Sequence, residues 1–172
     1  MNETAINTAQ NLIKKHKVSI PVDLVALLKK LGISLNVSPL ESMSGFAYQK
    51  DGRKVIGVNQ GDGAHRQRFT IAHELGHMLL HANSDVLFDR KNDFVYFRDG
   101  HSSTGQNVRE VEANAFAAEL LMPSSDLRDR ISKIGGVDLM ADEHNVKKLA
   151  KHYEVSFMAM SVRIDSLAKH SI

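Results

Sequence analysis

One ten-residue stretch, Ala72–His81 (AHELGHMLLH), constrains this chain more than any other because it carries the pattern H-E-x-x-H. If residues 66–81 form one helix, each residue turns about 100° relative to the one before, and the polar side chains then share a single wedge. The wedge holds Arg66, Thr70, His73, Glu74, His77 and His81. Most of the remaining circumference is apolar, which predicts a helix that is buried in the middle of a domain.

His73 and His77 lie one turn apart on this helix, which is the spacing at which two imidazoles can bind one metal ion. Glu74 lies beside them on the same wedge, where its carboxylate can serve as a general base. The alternative is a solvated polar stripe on an amphipathic helix. That alternative is disfavoured because so apolar a helix is a costly place to leave two histidines and a glutamate without partners.

A catalytic zinc ion usually has three protein ligands and keeps a fourth position for water, so the two histidines need a further partner. His81 lies about 12 Å from His73 along the helix axis, too far for one ion to bind both together with His77. We therefore assign His81 to hydrogen bonding or to the helix C-terminus, where a cationic imidazole is favoured.

A second helix, predicted over Arg109–Met122, supplies the candidates for the third ligand. Glu110 lies on a mostly apolar stripe, which predicts that it faces inward, whereas Glu112 and Glu119 share another face that is predicted to be solvated. Glu110 is the predicted ligand, and Glu112 is its chief rival. Asn114, one turn after Glu110, is placed to orient a histidine or the ligand itself.

Such a site favours hydrolysis of amides. The metal lowers the pKa of its water and polarises a carbonyl, while Glu74 takes the proton of the water and passes it to the leaving amine. A further group should stabilise the oxyanion, and the sequence does not choose among the candidates. These are Tyr48, Tyr96, Arg98 and His101.

The composition suits one soluble globular domain, with 42% apolar and 24% charged residues among 172. We expect a single domain over residues 1–172, with the helices at about 144–168 as a candidate subdomain. The formal net charge of +2 argues against nucleic acid or a membrane as the main partner. The lack of cysteine, of a signal peptide and of a long apolar run favours a cytoplasmic location.

The hydrophobic pattern predicts an α+β fold in which a small sheet precedes the central helix. Strands are predicted at residues 33–37, 45–49 and 54–59, with a turn at Asp51-Gly52 and Asp62 as a cap of the central helix. After His81 the pattern dissolves, apart from a candidate strand at 94–97, and Gly100–Asn107 is the most loop-like part. The remaining helices are predicted at residues 4–15, 21–32, 126–135, 146–153 and 157–167.

Two long stretches, RQRFTIAHELGH at residues 66–77 and EVEANAFAAELLMP at 110–123, closely resemble the ImmA/IrrE family of metallopeptidases. The resemblance covers most of the chain and also includes residues 21–23, 44–46 and 58–59. It implies a gluzincin-like minimal metallopeptidase core with one Zn²⁺ per chain, although Mn²⁺ or another divalent ion would also suit the ligands. It also implies a role for each site residue: His73, His77 and Glu110 as ligands and Glu74 as the catalytic base.

Members of that family typically cut a repressor of the helix-turn-helix type. The resemblance therefore implies a repressor of the XRE type, or an antitoxin, as the substrate. We expect this partner to be a separate protein because the chain has no room for a helix-turn-helix domain ahead of the peptidase core.

Two other classes of function stay open. The chain could act without proteolysis, as an antitoxin or anti-repressor that sequesters its partner, although an intact Glu74 favours an enzyme. It could also bind DNA, because residues 149–156 resemble the first half of a helix-turn-helix. Against this, Glu154 stands where the turn usually has glycine, and the second helix offers few cations beyond Arg163.

Overall fold

The computed structural model of the chain describes residues 3–81, 86–90, 105–134 and 142–169. The candidate strand at 94–97 lies outside these residues, and so do three of the four candidate oxyanion stabilisers, Tyr96, Arg98 and His101. The described ranges contain helices and one mostly antiparallel sheet, which confirms the predicted α+β fold class.

The described residues form seven helices and four strands. The helices are α1 (Glu3–His16), α2 (Leu24–Lys30), α3 (Ala64–Leu80), α4 (Gly105–Leu121), α5 (Ser124–Lys133), α6 (Glu143–Tyr153) and α7 (Phe157–Lys169). The strands are β1 (Ser34–Ser38), β2 (Met43–Lys50), β3 (Arg53–Asn59) and β4 (Val86–Arg90). None of these helices has the length and the apolar composition that a membrane span requires.

The strands pair in the order β1-β3-β2-β4, with β1 parallel to β3 and the other neighbours antiparallel. The predicted turn joins β2 to β3, and the φ angles of Asp51 and Gly52, 51° and 77°, suit a tight two-residue hairpin. β4 was not predicted. A five-residue strand carries little signal of its own, because its conformation depends on the pairing with β2.

Helix α3 lies between the sheet and α4, and every residue from Thr70 to Met78 is buried. The prediction that Asp62 caps this helix is wrong, because the N-cap is Gly63 and no side chain bonds the first turn there. The start of α3 is held instead by Gln67. Its side-chain amide donates to the carbonyls of Asn59, Gln60 and Asp62. These bonds tie α3 to the end of β3.

Helix α4 begins four residues before the predicted start at Arg109. The loop predicted at Gly100–Asn107 is therefore wrong for residues 105–107, while residues 100–104 lie outside the described ranges. Once the later turns of α4 are formed against α3, each added residue gains a hydrogen bond without a new nucleation cost. Residues with weak helix propensity, such as Gly105, are then carried into the helix.

Helix α7 is joined to α4 by a buried ion pair that was not predicted from the sequence. Glu119, expected to be solvated, is 1% exposed, and its carboxylate accepts a hydrogen bond from the Arg163 guanidinium of α7. Its other oxygen accepts from Gln10 of α1 and from the backbone and side chain of Ser124. The prediction failed because Glu119 faces α1 and α7 rather than solvent.

Candidate metal centre

Three polar side chains from α3 and α4 meet in the interior. The Nε2 atoms of His73 and His77 are 3.0 Å apart, and their rings meet edge to face. Each Nε2 also lies 3.2 Å from a different carboxylate oxygen of Glu110. The two histidines are buried, whereas the Glu110 side chain is 31% exposed. The structure thus brings together the three residues that the sequence predicts as ligands.

Asn114 determines which ring nitrogen of His73 carries a proton, and therefore which one can offer a lone pair to a metal ion. The amide oxygen of Asn114 lies 2.9 Å from Nδ1 of His73. An amide oxygen can only accept, so Nδ1 must carry the proton, and the Nε2 of a neutral ring is then left with a lone pair. This is the tautomer that a metal ligand requires.

The donor set fits a divalent cation. Ligand atoms that lie 2.0–2.1 Å from a tetrahedral zinc ion are separated from one another by roughly 3.3–3.4 Å. The two Nε2 atoms here are 3.0 Å apart, and each lies 3.2 Å from a different oxygen of Glu110, so a small outward adjustment of the side chains would accommodate an ion. Two imidazoles and one carboxylate are also a ligand set that several divalent metals accept.

The carboxylate of Glu110 is held in its ionised form. Burial alone would raise its pKa, but the hydrogen bonds and the charges of His73 and His77 outweigh burial and lower the pKa to about 2. A ligand oxygen that is already deprotonated at neutral pH need not release a proton when a cation binds.

Glu74, which lies between the two histidines in the sequence of α3, is fully buried. Strand β2 packs closely against this part of α3. A Cβ atom at Gly45 would lie 2.4 Å from Cγ2 of Thr70 and 3.5 Å from Cγ of Glu74. Only glycine therefore allows β2 to pack this closely on the polar wedge of α3.

A second glycine sets the distance between the two helices that carry the cluster. A Cβ atom at Gly76 would lie 3.0 Å from Cδ1 of Phe116 and 3.2 Å from the carbonyl oxygen of Ala113. The small residue lets α3 and α4 approach closely at the level of the histidines, which is what allows the Glu110 carboxylate to reach both Nε2 atoms.

His81 lies at the C-terminus of α3 and also forms a side-chain hydrogen bond, so the structure agrees with both of the roles predicted for it. Burial lowers the pKa of its imidazole and a contribution from His77 lowers it further, while the carbonyl of Arg109 and the carboxylate of Glu112 oppose the shift. The net shift favours the neutral imidazole. Its Nε2 lies 3.3 Å from the Arg109 carbonyl oxygen and 3.7 Å from Glu112, so the rival ligand contacts His81 rather than the cluster.

Tyr48 is the one candidate oxyanion stabiliser within the described residues, and the strand geometry disfavours it. Gly45 of β2 faces α3, and side chains alternate between the two faces of a strand. Tyr48, three residues later, therefore lies on the face of β2 that points away from α3.

The structure also disfavours DNA binding by the C-terminal helices. Arg163, the cation expected on the recognition helix, is 8% exposed and bonds Glu119 and the carbonyl of Met122. Helix α7 also exposes three large apolar side chains, Phe157, Met158 and Val162, and its exposed Lys169 is paired with Asp165. This helix therefore offers only Lys169, already paired with Asp165, as an exposed cation within its described residues, whereas contact with phosphates depends on several such charges.

Comparison with known proteins agrees with this geometry. Residues 28–165 match the Peptidase_M78 family model, described as the IrrE N-terminal-like domain. The chain is 34% identical over 118 residues to uncharacterized immunity region protein 2 of Bacillus phage phi105, across 66% of this chain and 65% of that protein. It is 34% identical over 104 residues to the radiation response metalloprotease IrrE of Deinococcus deserti, across 60% of this chain and 34% of that protein.

The IrrE protein of Deinococcus radiodurans is 31% identical over 125 residues, and it too is covered over only 34% of its length. The chain thus spans about two thirds or less of these relatives. Among solved structures, a Mycobacterium tuberculosis transcriptional regulator has a similar fold, with a TM-score of 0.63 and 17% identity, across 92% of this chain and 45% of that one. The match to the family model extends over most of the sequence and includes the helices that carry the cluster. The chain belongs to the ImmA/IrrE family, Peptidase_M78.

Proposed function

We propose that the chain is a metal-dependent endopeptidase, with His73, His77 and Glu110 as the metal ligands and zinc as the metal. The observation that carries this proposal is the convergence of two Nε2 atoms and one ionised carboxylate within 4.8 Å of one another. Membership of the family and the likeness to proteins named metalloproteases support it.

The protein side chains have distinct tasks in this proposal. A bound divalent cation would polarise the scissile carbonyl and lower the pKa of a water molecule. Glu74 accepts a proton from the attacking water as the new carbon–oxygen bond forms, and delivers it to the leaving nitrogen as the carbon–nitrogen bond breaks. Asn114 keeps the proton of His73 on Nδ1, which fixes the orientation of that ring.

The proposed substrate is a separate helix-turn-helix repressor of the XRE type, or an antitoxin, that acts in the same cytoplasm. Two observations support a regulatory substrate. The family resemblance of the two motifs implies one, and one relative is named for a phage immunity region. Cleavage of such a partner would relieve repression.

The test compares wild type with Glu74→Gln, a variant of the same size that cannot take the proton. Each protein is loaded with zinc and incubated with the regulators encoded beside it, and the fragments are identified by mass spectrometry. We expect cleavage by wild type and a loss of about 10²–10⁴-fold in the rate of cleavage by Glu74→Gln, the usual contribution of a general base.

The matched control is Glu143→Gln, which changes an exposed glutamate on α6 in the same way and should cleave like wild type. Equal cleavage by Glu74→Gln and wild type would contradict the assigned base. Relief of repression that persists in Glu74→Gln without any cleavage would instead favour a partner-sequestering protein.

A further inference from the structure

His81 connects the helix that carries two of the proposed ligands to the helix that carries the third. It is the C-cap residue of α3, where its backbone N–H donates to the carbonyl oxygen of His77. Its side chain, by contrast, bonds to α4. There Nε2 lies 3.3 Å from the carbonyl oxygen of Arg109.

This carbonyl belongs to the peptide group that joins Arg109 to Glu110, so the contact acts directly on the backbone of the third ligand. Because a carbonyl oxygen can only accept, Nε2 of His81 must be the donor. The carboxylate of Glu112, 3.7 Å from the same nitrogen, lies on the far side of Glu110 in sequence. The imidazole thus bonds residue 109 and lies near the side chain of residue 112, on either side of residue 110 in sequence.

Glu110 needs such support because it is the most exposed of the three cluster residues and lies in the first third of α4. Helix ends open more readily than helix centres. A shift of this turn by about 1 Å would separate the Glu110 oxygens from the two Nε2 atoms, since bonds of this kind weaken steeply with distance and angle.

We propose that His81 is a positioning residue, which holds the Arg109–Glu110 peptide group so that the Glu110 carboxylate faces His73 and His77. The inference rests on the proposed function, because it assumes that these three residues bind the metal. It assigns His81 no direct contact with the ion.

The test measures the zinc affinity of the metal-free protein by competition with a chromophoric chelator, alongside the melting temperature in EDTA. His81→Ala removes the donor, and we expect the affinity to fall about 10–100-fold, which is the usual effect of removing a group that orients a ligand. His81→Gln keeps an N–H donor near the position of Nε2 and should recover most of the affinity.

The matched control is His65→Ala. His65 lies on the same helix, and its Nδ1 donates to the carbonyl oxygen of Glu154, but it lies about 12 Å before His73 along the axis. If an interhelical bond from any histidine of α3 were enough, both variants would lower zinc affinity. We expect His65→Ala to bind zinc like wild type.

If His81→Ala binds zinc as tightly as wild type and melts at the same temperature in EDTA, the inference is overturned, while the proposed function is unaffected. An equal loss in His65→Ala, or no recovery in His81→Gln, would also overturn it. If the metal-free His81→Ala protein does not fold, His81→Gln against His81→Leu gives the same comparison. A wild-type protein that binds no zinc would contradict the proposed function instead, so the two failures are distinguishable.

Discussion

Helix α4 carries a glutamate near each end, and the two have opposite surroundings. Glu119 is 1% exposed, and its charge is matched by the Arg163 guanidinium and by three further donors from Gln10 and Ser124. Glu110 faces the imidazoles of His73 and His77. One carboxylate is thus neutralised by a cation of the protein itself, whereas the other lies beside two imidazoles, a type of ligand that suits a metal ion.

The comparison separates a scaffold from a site. A buried carboxylate with its own arginine fixes the packing of α1, α5 and α7 around α4, and it leaves no oxygen that could bind a ligand. The other end of the same helix places a deprotonated oxygen next to two nitrogens. Asn114 keeps a proton on Nδ1 of His73, so Nε2 is the nitrogen with the lone pair whenever that ring is neutral. We therefore expect substitutions at Glu119 to affect folding and substitutions at Glu110 to affect metal binding.

The largest effect is expected at the scaffold end. Glu119→Ala leaves the Arg163 guanidinium buried without its carboxylate, and such a loss typically costs about 3–5 kcal/mol in the free energy of unfolding. Urea denaturation in EDTA measures it. The double variant Glu119→Leu with Arg163→Met should recover much of the loss, because no buried charge then remains. A cost under about 1 kcal/mol would show that the ion pair does not stabilise the scaffold.

At the other end, Glu110→Gln should lower zinc affinity by at least about 100-fold, or roughly 2.7 kcal/mol, because a neutral amide replaces an anionic ligand. The stability of the metal-free protein should change by less than about 1 kcal/mol, since the side chain is partly exposed. Chelator competition and urea denaturation measure the two quantities. Glu112→Gln, which changes the rival candidate ligand, should keep the zinc affinity within about tenfold of the wild-type value. The reverse ranking of the two variants would make Glu112 the ligand.

Gly45→Ala should lower both the free energy of unfolding and the peptidase activity, because Gly45 packs against the polar wedge of α3. Its added Cβ would collide with Cγ2 of Thr70 and with the carbonyl oxygen of Gly57, so β2 must move away from α3. We expect a loss of about 1–3 kcal/mol in the free energy of unfolding, and reduced peptidase activity. Gly63→Ser, where a Cβ meets nothing within 4 Å, should leave both nearly unchanged. Similar effects of the two substitutions would contradict the packing argument.

The smallest effect concerns Asp126 of α5, a scaffold carboxylate at the surface. Burial raises its pKa, but hydrogen bonds from Arg130 and Tyr153 outweigh this and lower the pKa. Because the pKa is lower in the folded than in the unfolded state, the stabilisation is present above the unfolded pKa of about 3.9 and is lost as the pH falls below it.

Between pH 6 and pH 3, wild type in EDTA should therefore lose a few tenths of a kcal/mol more stability than Asp126→Asn, since the side chain is 35% exposed and its ion pair is screened. Urea denaturation at each pH measures the difference. Parallel pH profiles for the two proteins would contradict the contribution assigned to this carboxylate.

The helix with the H-E-x-x-H pattern and the inward face of Glu110 could be predicted because both depend on local periodicity. His73 and His77 lie on one side of α3 by helix geometry alone, and the apolar neighbours of Glu110 indicate its direction. The two predictions meet in the structure because α3 and α4 pack directly against each other.

The surroundings of Glu119 could not be predicted in the same way. Its partner Arg163 is 44 residues away in sequence, and a helical wheel shows the direction of a side chain but not which element lies there. The same limit explains why β4 was missed and why the cap predicted at Asp62 was wrong. In each case, a contact with another element decides the local structure.

The most direct measurement is the anomalous scattering of crystals of the zinc-loaded Glu74→Gln protein, collected on both sides of the zinc absorption edge. We expect one strong zinc peak per chain, within about 2.3 Å of Nε2 of His73, Nε2 of His77 and a carboxylate oxygen of Glu110. A zinc peak elsewhere, or no peak at these three residues under saturating zinc, would contradict the assignment of this cluster as the metal centre.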